Sequence, residues 1–158
     1  MRRKDREIKQ LNEIIEIIKK CEVCRIALYD GEFPYIIPMN FGLAVLENDI
    51  ELYFHCANTG KKLDLIRTNS KAGFEMDCSH KLIIAENACD YSMEFDSVCG
   101  HGVLEILEDD QKIDALMYLM KQYSKEASFE FNPNYLKMVT VLKLKVKQIT
   151  GKRLRQDT

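Results

Sequence analysis

The chain has 158 residues, 46% of them hydrophobic and 30% charged, a globular balance that fits one domain spanning residues 1–158. Its net charge of −2 and pI near 6.0 argue against a general nucleic-acid or membrane-surface binder. No apolar run approaches the ~20 residues of a membrane span. The opening Met1-Arg2-Arg3-Lys4-Asp5-Arg6 has no apolar stretch behind it, so a cytoplasmic protein is expected rather than an exported one.

In chain order, residues 1–20 read as a helix, with Ile8, Leu11, Ile14, Ile15 and Ile18 at helical spacing. Val23 to Leu28 is strand-like, and Asp30-Gly31 signals a hairpin. The partner strand runs from Phe33 to Ala44; Pro34 and Pro38 donate no ladder hydrogen bond and put it at an edge or bend it. Asn48-Asp49 turns the chain into a third strand, Ile50 to Cys56. Thr59 is the expected N-cap of a short helix ending near Asn69. Ala72 to Met76 is a fourth strand, and Asp77 to Cys89 reads as a loop with a strand fragment. Tyr91 to Leu107 has the length of one or two strands, broken near Gly100-His101-Gly102, where the glycines suggest a bulge or a close backbone approach. Asp109 or Asp110 caps a helix that buries Ile113, Leu116, Met117 and Met120. Glu126 to Tyr135 reads as a loop. Met138 to Ile149 alternates, with Leu142, Leu144 and Val146 inward and Lys143, Lys145 and Lys147 outward; residues 150–158 read as a solvated tail. Five or six antiparallel strands with short helices make an α+β fold whose sheet closes into a small barrel.

The stretch with most chemical content is His55-Cys56-Ala57-Asn58-Thr59-Gly60-Lys61-Lys62, which leads from a strand into a helix. A glycine turn and two cations at a helix start favour an anion, because amide groups and the helix dipole point the same way. The lysines would act on a phosphate as point charges. A solvated lysine pair opening a surface helix is the alternative. Cys21 and Cys24 form a lone CxxC between helix and strand, the reverse of the thioredoxin order. Cys78, His80, Cys99 and His101 lack a zinc-site spacing, so no metal is expected and the six cysteines read mostly as buried apolar side chains. Arg25 reads as a strand-surface or interface residue, and Tyr35 and Tyr53 as packing residues with hydroxyls at the surface. Seven basic residues follow Leu136; three of them read as the solvent face of the last strand, without the aromatic interleaving of a nucleic-acid site.

The segments CRIALYDGEFPYIIPMNFG, LYFHCANTGKKLDLI, SVCGHGVLEIL and VLKLKVKQITGK, with the opening MRRKDREI, resemble the FMN-binding split-barrel superfamily. Within it they are similar to nitroimidazole-resistance-like (Nim) proteins related to pyridoxamine phosphate oxidase. The resemblance implies an antiparallel split β-barrel with short flanking helices, working as a homodimer. It implies that Pro38, Met39, Asn40 and Phe41 line the flavin ring of FMN, mainly through backbone groups, and that His55 and Cys56 sit beside it. Gly60 would admit the phosphate, Lys61 and Lys62 would bind it, and Ser97 and Val98 would come from the facing subunit. The chain has no Trp, and Arg153-Leu154 is followed by only four residues, which departs from the vitamin oxidases. The implied activity is reduction of a small aromatic or nitroaromatic substrate with NAD(P)H as electron donor. His55 would be the proton donor, since imidazole exchanges protons near neutral pH. The alternative is a module that holds flavin or haem without catalysis.

Overall fold

The computed structural model describes residues 3–47, 49–126 and 128–156. Residues Lys4–Arg6 form one 3₁₀ turn, and Glu7–Ile8 (β1) pair with the last strand rather than extending a helix. The first helix, α1, is therefore Leu11–Lys20, half the length expected. Its apolar face buries Ile14, Ile15, Ile17 and Ile18. Ile17 and Ile18 are fully enclosed, each contributing roughly 1.5–3 kcal/mol of burial. Met1 and Arg2 of the expected helix, and Asn48 of the expected turn, lie outside the described residues.

Cys24–Asp30 (β2) and Phe33–Met39 (β3) form the expected hairpin across Gly31-Glu32. The partner strand expected to reach Ala44 stops at Met39, and Gly42–Leu46 (β4) is a separate strand. β4 pairs with Asp49–Ala57 (β5) at the opposite end of the sheet from β3. The strand order is β3-β2-β6-β7-β8-β5-β4, with β6 at Lys71–Ile83, β7 at Ser92–Ile106 and β8 at Val139–Leu154. Only Asn40 and Phe41 separate β3 from β4, so three Cα steps of at most ~11 Å join the two ends of the sheet. A sheet whose outer edges are that close must curl on itself. This is a split barrel, with β3 at an edge as its prolines require.

The long strands absorb segments expected to be irregular. β6 continues through a bulge between Cys78 and Lys81, with Ser79 at φ 60°, so most of the expected loop from Asp77 is strand. β7 is unbroken; opposite His101-Gly102 the extra residue lies on β8, placing the expected irregularity there. β8 runs to Leu154, so the expected tail is strand through that residue; Asp157 and Thr158 lie outside the described residues. Lys143 is half-buried between Glu105 and Glu51 rather than solvated.

Helices on the outside complete the fold: α2 at Lys61–Thr68, α3 at Lys112–Tyr123 and the single turn α4 at Pro133–Leu136, inside a stretch expected to be loop. Neither Asp109 nor Asp110 caps α3. A 3₁₀ turn over Asp109–Gln111 precedes it, closed by a reciprocal pair between Glu108 and Gln111. α3 turns Ala115, Leu116 and Leu119 inward against β4, β5 and β8, leaving Ile113 49% exposed and Met117 and Met120 half-buried. Two cores result. The barrel interior holds Phe41, Leu52, Phe54, Met76, Val98 and Leu144 among others; a second, smaller core between β5 and α3 holds Ala44, Tyr53, Leu116 and Val141.

Asp96 of β7 is fully enclosed and accepts from Arg153 Nε at 2.7 Å and from the Arg155 guanidinium. Burial pushes its carboxyl upward, but the two guanidiniums outweigh burial and hold it below the usual carboxylate range. A depressed folded value stabilises the protein above the unfolded pKa of about 3.9 and ceases to do so as pH falls through the lowered value. Asp96→Asn should cost about 2 kcal/mol at pH 7, less than a fully buried pair because both arginines reach solvent. Urea unfolding at pH 7 and at successively lower pH checks this: the difference between variant and wild type should shrink as pH falls through the lowered value.

Candidate functional site

The start of α2 is built from β5 outward. Asn58, just beyond β5, donates through Nδ2 to the Lys137 carbonyl at 2.7 Å and accepts from Thr140 Oγ1 at 3.0 Å, which pins the turn to β8. Thr59 does not cap the helix. Gly60 occupies the N-cap position at φ 134°, a conformation that L side chains rarely adopt. Lys61 and Lys62 are then the first two helical residues, where amide groups lack intrahelical acceptors.

The two lysines differ. Lys61 Nζ lies 2.5 Å from Asp30 Oδ2, at the end of β2, and 5.1 Å from the centre of the Tyr35 ring on β3. The hydrogen bond to Asp30 raises the pKa of its ammonium. Lys62 is half-buried beside Cys56, whose thiol is pushed up by burial and pulled partly back by the Lys62 charge. The half-buried Asp30 carboxylate resting on Lys61 shows that an anionic oxygen fits against this ammonium. The donor set therefore fits a phosphate.

His55 and Cys56 point to opposite faces of β5, as successive strand residues must. Cys56 packs against the barrel core. His55 lines a cavity of about 400 Å³ with Leu116, Leu119, Phe131, Leu136 and Val139, apolar but for Glu130, Asn132 and Tyr135. Within one chain the two side chains therefore do not share a pocket.

Pro38, Met39, Asn40 and Phe41 sit where β3 passes to β4. Counting along β3, Asn40 is five residues or ~17 Å from Tyr35, so this segment is at the far end of the strand from Lys61. Met39 and Phe41 are buried, and Pro38 and Asn40 are exposed. The Phe41 amide donates to Tyr123 Oη at 2.9 Å, and that hydroxyl donates to the Glu22 carbonyl at 2.8 Å. Asn40 Nδ2 donates to the same carbonyl at 3.3 Å.

Ser97 faces outward on β7, in register with Asp77 and Lys152. Val98 is fully enclosed in the barrel core, so its side chain is not available to a second subunit. On the same outer surface a concavity of about 710 Å³ runs over Ala27, Tyr29, Phe33, Gly73, His101 and Val103. Arg25 is on the surface as expected, bridging Glu75 at 3.1 Å and Asp77 at 2.6 Å. Tyr53 is a packing residue as expected, its ring stacked on Tyr118, but it is buried and its hydroxyl donates to Glu51 at 2.6 Å.

All six cysteines are free thiols. Cys21 and Cys24 are buried, Cys56 and Cys78 half-buried, and Cys89 and Cys99 exposed. Burial first, and then the neighbouring Cys78 thiol, push the Cys21 thiol up; its sulfur partner is Cys78, not Cys24. Cys99 stands opposite Glu75 and His101 opposite Gly73, away from Cys78 and His80. Among the described residues no group of three or more His, Cys, Asp or Glu side chains is placed to hold a metal ion, and no helix is long and apolar enough to cross a membrane.

Gly60, Lys61, Lys62 and His55 stand out in the sequence, whereas Asp30 reads there only as a turn residue and Tyr35 only as packing. Nothing local links Asp30 to Lys61; their meeting follows from α2 lying against β2.

A split barrel with a cationic helix start beside its β2–β3 hairpin is the class of protein that these features define. The family model for pyridoxamine 5'-phosphate oxidase matches residues 10–153, and the chain belongs to that family. A candidate 5-nitroimidazole antibiotic resistance protein from Bacteroides thetaiotaomicron VPI-5482 is 32% identical, with TM-score 0.78 over 92% of this chain and 85% of that one. The flavocytochrome Anf3 from Azotobacter vinelandii superposes with TM-score 0.80 at 16% identity, over 99% of this chain and 72% of that one. An FAD and heme binding protein from Mycobacterium smegmatis does so with TM-score 0.79 at 18% identity, over 97% and 77%. The last two likenesses concern the fold. No protein of curated function matches the chain in sequence.

Proposed function

We propose that this protein binds FMN at the start of α2 and reduces a small aromatic or nitroaromatic compound with electrons from NAD(P)H. The observation that carries the reading is the Lys61–Lys62 pair behind Gly60, with the Lys61 ammonium already engaged by a carboxylate. Membership of the pyridoxamine 5'-phosphate oxidase family and the likeness to the nitroimidazole-resistance candidate support it. FMN would supply the hydride and electron chemistry. Lys61 and Lys62 would hold its phosphate, Gly60 would keep the turn open, and Pro38 and Asn40 would offer exposed groups at the far end of β3. A second copy of the chain would face the outer surface around Ser97, closing a two-fold dimer. Six free thiols suit the reducing cytoplasm, where we place the protein.

His55 would serve the acceptor. Its cavity of about 400 Å³ suits an aromatic ring, and the imidazole is the proton-exchanging group on that wall. His55→Ala, with FMN still bound, should lower kcat about a hundredfold, within the range that a positioned proton donor contributes. Unchanged turnover would remove the assigned role.

The deciding experiment is an absorption titration of the purified protein with FMN, followed by anaerobic addition of NADPH and then NADH. Saturable binding and bleaching by a nicotinamide support the reductase. Binding without bleaching favours a holding module.

A further inference from the structure

We propose that Asp30 is an internal stand-in for the ligand's phosphate: its carboxylate occupies Lys61 in the free protein and must be released when phosphate binds. The inference rests on the FMN reading above and adds a residue that controls the same site. Asp30 ends β2 at a tight hairpin, and its Oδ2 lies 2.5 Å from Lys61 Nζ while the Tyr35 ring lies beneath the same cation. The pair is accessible to solvent, with side-chain exposures of 55% for Lys61 and 31% for Asp30, so an incoming anion can reach it.

The exchange is uneven. Asp30 offers a single charge, and its one bridge among the described residues is to Lys61. A phosphate monoester carries about −1.5 to −2 charges and three strong acceptor oxygens. It can therefore engage Lys61, Lys62 and the first amides of α2 together. After the exchange Asp30 stays on its hairpin beside a like charge. It thus weakens every phosphate ligand, while a flavin lacking phosphate leaves the Asp30–Lys61 bridge in place. An exposed ion pair contributes modestly, so the effect should be near the upper end of that class, about fivefold in affinity.

The test is flavin-fluorescence titration of the full chain with FMN and with riboflavin. The proteins are wild type, Asp30→Asn, Lys61→Met and the double variant; asparagine keeps the turn chemistry of the hairpin. Asp30→Asn should tighten FMN about fivefold, leave riboflavin unchanged, and gain less than about twofold when Lys61 is Met. Unchanged or weaker FMN binding in Asp30→Asn overturns the inference, as does a gain of the same size that persists without the Lys61 ammonium. If the wild type holds FMN no more tightly than riboflavin, the phosphate reading falls and this inference with it. If the wild type prefers FMN and Asp30→Asn brings no gain, this inference alone falls.

Discussion

Replacing Lys61 and Lys62 together by alanine should weaken FMN binding on the order of a hundredfold and leave riboflavin binding unchanged. The reason is charge. Two ammonium groups and the positive end of α2 converge where Gly60 turns the chain into the helix, and charge-assisted bonds are the strong ones. Both lysines follow the N-cap, so their removal subtracts charge without removing a core side chain. The neighbouring helical residues Leu63 and Ile66 anchor α2 in the barrel and are untouched. Fluorescence titration of both flavins, with a thermal melt as control, measures the effect. If riboflavin binding weakens equally, the substitutions have disturbed the helix start instead of removing a phosphate partner. Raising the salt concentration should weaken FMN in the wild type and have little influence on the double variant, because solvent-exposed charges are screened.

Gly42→Ala should destabilise the protein by about 3 kcal/mol, lowering the melting temperature by roughly 10 °C. A Cβ at Gly42 would lie 2.5 Å from the Tyr118 carbonyl carbon and 2.6 Å from Leu119 Cα, inside the backbone of α3. Backbone does not swing aside as a side chain does, so α3 must lift from β4. Leu119 lines the cavity around His55, and Tyr118 stacks on Tyr53 at 5.2 Å between ring centres. The variant should therefore lose turnover as well as stability, and FMN affinity with them, because the Asn40-Phe41 segment beside Gly42 is tied to α3 through the Phe41 amide and Tyr123. Differential scanning calorimetry and the flavin titration together check this. An unshifted melting temperature would show that α3 is not seated on Gly42.

Most strands, their antiparallel pattern and the cations opening α2 were legible in the residues because each is a local property. Alternation in β8, the Asp30-Gly31 turn and the run of cations after Gly60 all act within a few residues of themselves. The same is true of the apolar stripe of α1. What the residues could not disclose depended on partners distant in the chain. Glu7–Ile8 is strand because β8 offers it an edge. The end of β8 stays extended because it pairs with β7 and β1, far upstream, and Asp96 of β7 holds Arg153 and Arg155. β3 and β4 separate at Asn40-Phe41 because the curled sheet needs its two edges joined there, although the apolar pattern runs on.

The site divides the same way. Its charges were determined by the sequence alone, since a glycine turn and two lysines at a helix start favour an anion wherever the helix lies. Tertiary structure decided what surrounds them. α2 lies against β2, which brings Asp30 onto Lys61, and α3 lies against β5, which sets the exposed His55 at the wall of a largely apolar cavity. Strand geometry set His55 and Cys56 on opposite faces, but only the packing of helices on those faces gave each side its chemistry.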